Sequence, residues 1–126
     1  MLYIYELILL FVNVAMAAYH AKLIKQERKV QHGLWGGGYF LFAGILCLLA
    51  HSWWLALLAA LVRKVAFDVS LNIFRGLPLF YVSAKPKSII DRFHNWVFGK
   101  RSEIYIGIYL IFIVVINVLL ANGIVK

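Results

Sequence analysis

Residues 53–81 read WWLALLAALVRKVAFDVSLNIFRGLPLFY, and this stretch decides the fold. Its first ten residues are apolar. The polar residues that follow directly behind them are Arg63, Lys64, Asp68, Asn72 and Arg75. Ten helical residues cover about half of a hydrocarbon core roughly 30 Å thick, so the polar residues begin near mid-bilayer. The stretch therefore predicts a membrane helix over 53–75 whose second half is polar.

The composition of the whole chain indicates that lipid is its solvent. Of 126 residues, 64% are hydrophobic and the mean hydropathy is +0.88, whereas soluble domains carry roughly 45–50% apolar residues. A soluble domain of this length buries only about two-thirds of its surface and could not hide so many apolar side chains. The single Cys47 excludes an internal disulfide. We therefore expect one membrane domain over 1–126.

Hydropathy and helical periodicity predict the elements of this domain. The expected membrane spans are 2–19, 34–50, 53–75 and 104–121. A further segment, 88–98, has its apolar residues on one helical face and its charged residues on the other, which is typical of a helix lying in the membrane interface. Ser88 followed by Asp91 fits a helix-capping pattern there. The predicted fold is all-α: a polytopic integral membrane protein with four transmembrane helices plus one interfacial amphipathic helix.

The turn between the second and third spans carries no Gly or Pro, so a single helix over 34–62 is an alternative. Positive charge favours a hairpin at 51–54, because twelve of the 13 Lys and Arg residues then lie on or toward one side of the membrane. Trp53 suits the opposite boundary, and Ser52 is a possible N-cap. By the positive-inside rule the basic loops are cytoplasmic and both termini are outside, in a bacterial-type inner membrane or one derived from it.

The polar half of the third span is the candidate ligand-binding site. Lys64, Asp68 and Asn72 repeat at spacing four and share a face. Charges in hydrocarbon are costly, so they are expected to face the bundle interior or a wet cavity. An excess of cations leaves room for a phosphate-bearing ligand held by Arg63, Lys64, Asp68, Asn72 and Arg75. The alternatives are Lys and Arg side chains that reach the interface from a thinned bilayer, and an ion or proton path.

Catalytic chemistry is only weakly indicated. Asp68 and His94 are the candidates for acid–base catalysis on a lipid. The candidates for a divalent-metal site near the same interface are His20, His32, Asp91 and His94. No two of the histidines are four residues apart, so interfacial histidines without metal are the alternative. No phosphate-binding loop, HExxH or nucleophile elbow occurs, so the sequence indicates no cofactor and favours a role other than catalysis.

Small residues in the second span predict helix association. They are Gly36, Gly37, Ala43 and Gly44. We therefore expect a small membrane protein with a structural, assembly or partner-docking role, present as a homo-oligomer or in a larger complex, whose basic cytoplasmic face binds anionic lipid or an acidic partner. A holin-like protein and a virion membrane protein are variants, and a lipid-active enzyme or small transporter is the alternative. Nucleic-acid binding is not expected, because the aromatic residues near 92–101 fall on the membrane face.

Overall fold

The computed structural model describes residues 2–82, 89–99 and 101–125. Throughout these ranges the regular structure is helical, which confirms the all-α class. The elements are α1 (Leu2–Lys25), α2 (His32–Ala50), α3 (Trp54–Val62), a π-helical turn (Arg63–Phe67), α4 (Asp68–Phe74), α5 (Ile89–Phe98) and α6 (Ser102–Ala121). The predicted cap at Ser88 lies outside the described residues.

Three helices are long and apolar enough to cross a membrane. These segments are Tyr3–Lys25, Gly33–Ala50 and Ser102–Ala121. Large apolar side chains cover their outer surfaces, as at Phe11, Leu41 and Ile111, which are 74%, 71% and 65% exposed. Exposed apolar surface on this scale is rare on soluble monomers and suits contact with lipid. These findings support the predicted transmembrane helices at α1, α2 and α6.

The chain turns between α2 and α3, as the hairpin predicts. His51 adopts the left-handed conformation, with φ of 52°. The N–H of Ser52 donates to the carbonyl of Cys47 at 3.2 Å, and the N–H of His51 donates to that of Leu48 at 3.3 Å. This is the Schellman arrangement, which usually contains Gly. The predicted cap at Ser52 is wrong: Trp53 holds the cap position, and the Ser52 hydroxyl has no hydrogen-bond partner among the described residues.

The elements α3, the π-helical turn and α4 form one continuous rod over 54–74. α1 runs parallel to this rod, because Asn13 contacts Arg63 and His20, further along α1, contacts Phe67. α2 leads back to the start of the rod and packs against α3. α6 begins near the far end of the rod and packs against α3 and the π-helical turn. The end of α1, the end of the rod and the start of α6 therefore lie at the same end of the bundle.

The apolar core lies between α1, α2 and the first part of the rod. Its buried members are Leu9, Met16, Ala17, Tyr39, Ala43, Leu46, Cys47, Leu55, Ala59 and Phe67. Among the small residues of α2, only Ala43 belongs to this core. A Cβ atom built on Gly36, Gly37 or Gly44 would have no neighbouring atom within 4 Å. These glycines therefore make no close helix contact within the described chain. Gly37 and Gly44 lie on an exposed face of α2.

Candidate functional site

A polar cavity of about 110 Å³ lies beside the second half of the rod. Four of the five predicted ligand-binding residues line it: Lys64, Asp68, Asn72 and Arg75. The residues that face them are Asp91, His94 and Asn95 of α5 and Tyr105 of α6, together with Tyr81 and Val82 from the segment after α4. Asn72 is buried and Asp68 is partly buried in this lining, whereas Arg75 is exposed. We call this space the polar cavity.

Lys64 lies between two carboxylates in the polar cavity. Its Nζ atom is 2.7 Å from Oδ2 of Asp68 and 2.5 Å from Oδ1 of Asp91, and its side chain is only 11% exposed. The hydroxyl of Tyr105 donates to Oδ2 of Asp68 at 2.9 Å. The ring of Tyr105 also faces the ammonium, with 5.2 Å between its centroid and Nζ. One ammonium is therefore held by two carboxylates and an aromatic face, and the Asp91 contact ties α5 to the rod.

Asn72 fixes the backbone that closes the cavity at the end of the rod. Its Nδ2 donates to the carbonyls of Leu79 at 2.9 Å and Tyr81 at 3.2 Å. The rod ends just before Gly76, whose φ of 69° is the left-handed conformation common after a helix terminus, and this lies close to the predicted end of the third span at 75. The returning segment is also held by the Ser102 hydroxyl, which donates to the Phe80 carbonyl at 2.5 Å. Asn72 therefore serves to shape the cavity.

His94 joins α5 to α6 at the cavity wall. Its Nδ1 lies 2.8 Å from the Ile90 carbonyl and must donate to it, so Nε2 accepts a hydrogen bond from the Tyr109 hydroxyl at 2.6 Å. Its ring also lies against that of Tyr105, with 4.8 Å between centroids. Burial lowers the pKa of His94 below its ordinary value. Asp68 and His94, the two catalytic candidates, thus share one cavity with Tyr105 in contact with both.

Arg63 lies outside the polar cavity. Its guanidinium carbon is 4.3 Å from the ring centroid of Phe67 and 5.0 Å from that of Tyr39. Nη1 lies 3.4 Å from Oδ1 of Asn13 and 3.6 Å from the sulfur of Met16. Among the described residues no carboxylate comes within ion-pair distance of Arg63. The structure therefore separates Arg63 from the other four predicted ligand-binding residues.

The metal candidates are not gathered at one point. His20 is fully buried between the rings of Trp35 and Phe67, with centroids 5.4 Å and 5.1 Å away. Asp91 and His94 line the polar cavity instead. The side chain of His32 lies outside the described part of the structure. Within that part, no three His, Cys, Asp or Glu side chains are grouped closely enough to hold a metal ion.

Exposed cations gather at one end of the bundle, which we call the basic end. They are Lys22, Lys25, Arg28, Lys29, Arg75, Arg92 and Arg101. Among the described residues the exposed carboxylates there are Glu27 and Glu103, so seven exposed cations face two exposed anions. At the opposite end, the described residues include no Lys or Arg. Arg75 belongs to both features, since it is exposed and lines the cavity.

Several contacts of the site were missed in the sequence. Asp91 was predicted as a metal candidate on the charged face of the interfacial helix, and its contact with Lys64 was not predicted. No role in the site was predicted for Tyr105 or Tyr109, although their spacing of four places both hydroxyls on one helical face. The chain matches no protein-family model, and no curated protein or solved structure is significantly similar to it. Its function is therefore argued from this geometry.

Proposed function

We propose that this protein is a four-span membrane component of structural or assembly type whose basic end binds anionic phospholipid. The charge asymmetry carries the proposal: within the described ranges, seven exposed cations and two exposed carboxylates lie at one end of the bundle. Cations near a membrane surface each attract anionic headgroups by about 1 kcal/mol. By the positive-inside rule, the basic end is cytoplasmic and both termini are outside.

The rod supplies the fourth span in this proposal. At 1.5 Å per residue it is roughly 30 Å long, which matches a hydrocarbon core. It lies parallel to α1. Its charged residues line the polar cavity, except Arg63, which contacts Asn13 of α1 inside the bundle. α5 is the interfacial helix of this proposal, since Ile89 and Trp96 are 81% and 82% exposed and suit the boundary between headgroups and acyl chains. The contact between Asp91 and Lys64 draws this helix toward the middle of the rod.

Lipid binding is tested with the purified full chain in nanodiscs that contain phosphatidylglycerol or phosphatidylcholine, with retained lipid counted by native mass spectrometry. The variant Arg28→Gln with Lys29→Gln removes two exposed cations beyond the end of α1. We expect the preference for phosphatidylglycerol to fall by about 2 kcal/mol, or about 30-fold. The matched control, Glu27→Gln with Glu103→Gln, removes two anions and should raise the preference. An unchanged preference in both variants would refute the proposal.

The exposed glycine face of α2 is the proposed site of self-association. Nothing within the described chain occupies the space beside Gly37 and Gly44, and small residues on a membrane helix let a second helix approach closely. We expect Gly37→Leu or Gly44→Leu to reduce the oligomer without changing the fold. Ala43→Leu is the contrasting control, because Ala43 is buried and overpacking there should cost about 1–3 kcal/mol of folding free energy. Analytical ultracentrifugation in detergent and thermal unfolding separate the two effects.

A further inference from the structure

The polar cavity is lined by two cations and two carboxylates, but a single cation, Lys64, contacts both carboxylates. The single ammonium of Lys64 is shared by Asp68 and Asp91, and the next cation, Arg75, is an exposed residue of the cavity wall. The side chain of Asp91 is 43% exposed, so it can be reached from outside. A space of about 110 Å³ is several times what one water molecule needs. The cavity therefore has room for a small group that carries a second positive charge.

We propose that the polar cavity binds the headgroup of an amine-bearing phospholipid, with its primary ammonium at Asp91 and its phosphate at Arg75. This inference rests on the proposed membrane location but not on lipid binding by the basic end. Lys64 shows that these groups suit an ammonium, since two carboxylates and the ring of Tyr105 surround it. Arg75 supplies the planar donor that binds phosphate oxygens well.

The surroundings of the cavity fit a ligand that arrives from the lipid. The cavity wall formed by α5 is only one helix thick, and the opposite surface of α5 exposes Ile89, Phe93 and Trp96. Acyl chains attached to a headgroup in the cavity would meet this apolar surface. A primary ammonium donates three hydrogen bonds, whereas a quaternary ammonium donates none and is bulkier, so the cavity should distinguish ethanolamine from choline headgroups.

The test measures the affinity of the purified full chain for phosphatidylethanolamine, its mono- and dimethylated forms and phosphatidylcholine by native mass spectrometry. We expect the Kd to rise with each added methyl group, by about tenfold over the series, as for loss of one net hydrogen bond. Asp91→Asn should abolish this ratio, whereas Glu103→Gln, which changes an exposed carboxylate at the same end, should preserve it. Arg75→Gln should weaken the binding of all four lipids equally.

Competition by soluble O-phosphoethanolamine would assign recognition to the headgroup alone, and failure to compete would assign part of the recognition to the acyl chains.

Two results would overturn the proposal. Equal affinity for ethanolamine and choline lipids in the unmodified chain would mean that Asp91 does not bind a lipid ammonium. A ratio that persists in Asp91→Asn would place the ammonium elsewhere. Asp91→Asn leaves the Lys64–Asp68 pair in place, and if this variant fails to fold, the methylation series on the unmodified chain still decides. The binding of phosphatidylglycerol to the basic end is measured separately, so failure of one proposal is distinguishable from failure of the other.

Discussion

Arg63 and Lys64 are consecutive cations in the middle of one helical rod, yet the fold accommodates their charges in different ways. Lys64 lies between Asp68 and Asp91. Arg63 lies over the rings of Tyr39 and Phe67 and beside neutral polar groups of α1. The first site balances charge with charge, whereas the second surrounds a charge with polarisable, uncharged groups.

The difference follows from the chemistry of the two side chains. A guanidinium is planar and weakly hydrated, so aromatic faces can replace part of its water. An ammonium is a compact, strongly hydrated charge that needs strong acceptors when it is buried. The π-helical turn Arg63–Phe67 begins at these two residues, and the cations leave the rod toward different neighbours, α1 for Arg63 and α5 for Lys64. Such turns are frequent at functional sites. Each side chain thus meets the surroundings that suit it.

Removing the Lys64 charge should produce the largest loss of stability. Lys64→Met leaves Asp68 and Asp91 without their cation, and breaking a buried pair in this way costs about 3–5 kcal/mol. The measurement is the free energy of unfolding by SDS in mixed micelles. Adding Asp68→Asn to Lys64→Met removes one stranded charge and should restore most of the loss. If the double variant is no more stable than the single one, the carboxylates are not the cause.

Tyr105→Phe should have the next largest effect, because it removes a hydrogen bond to a carboxylate. Bonds to charged groups contribute about 1.5–3 kcal/mol, so a loss in this range is expected in the same unfolding assay. Tyr39→Phe is the matched control beside Arg63, because the Tyr39 hydroxyl contacts only neutral groups: it donates to the carbonyl of Ala59 at 2.7 Å and accepts from Nδ2 of Asn13 at 3.2 Å. Each of these two bonds should contribute about 0.5–1.5 kcal/mol. Equal losses per hydrogen bond in the two variants would show that the two sites do not differ in charge.

Arg63→Met should destabilise the protein by about 1–2 kcal/mol, because it removes two cation–π contacts. This loss is smaller than that of Lys64→Met, because no opposite charge is left without its partner. Arg63→Lys keeps the charge and loses the planar group, so it places an ammonium where no carboxylate lies within ion-pair distance among the described residues. We expect Arg63→Lys to be less stable than Arg63→Met in SDS unfolding. The reverse order would show that the charge at position 63 matters more than its shape.

The sequence predicted where the helices run better than how they face one another. Continuous apolar runs predicted α1, α2 and α6. The spacing of four residues predicted that Lys64 and Asp68 share one helical face, where they form an ion pair. Spacing along a single helix cannot show which neighbour covers that face, so Arg63 was grouped with Lys64 and the Asp91 contact was missed. The turn at His51 lacks Gly, so it was indicated mainly by the distribution of charge and by Trp53 at a membrane boundary.

The pH dependence of α5 docking should give the smallest effect, and it concerns the outer wall of the Lys64 site. Burial lowers the pKa of His94, so the state in which α5 is undocked binds a proton more tightly than the docked state does. Docking is therefore unaffected above the ordinary histidine pKa of about 6.5 and weakens as the pH falls from there through the lowered value.

The measurement is hydrogen exchange of the α5 backbone between pH 8 and pH 5, about 1.5 units on either side of that ordinary value. After correction for intrinsic exchange rates, it should show this loss of protection at low pH. His94→Gln should remove the pH-dependent part of this protection. If the two proteins lose protection equally, His94 does not control the docking, and the Lys64–Asp91 contact alone holds α5 against the rod.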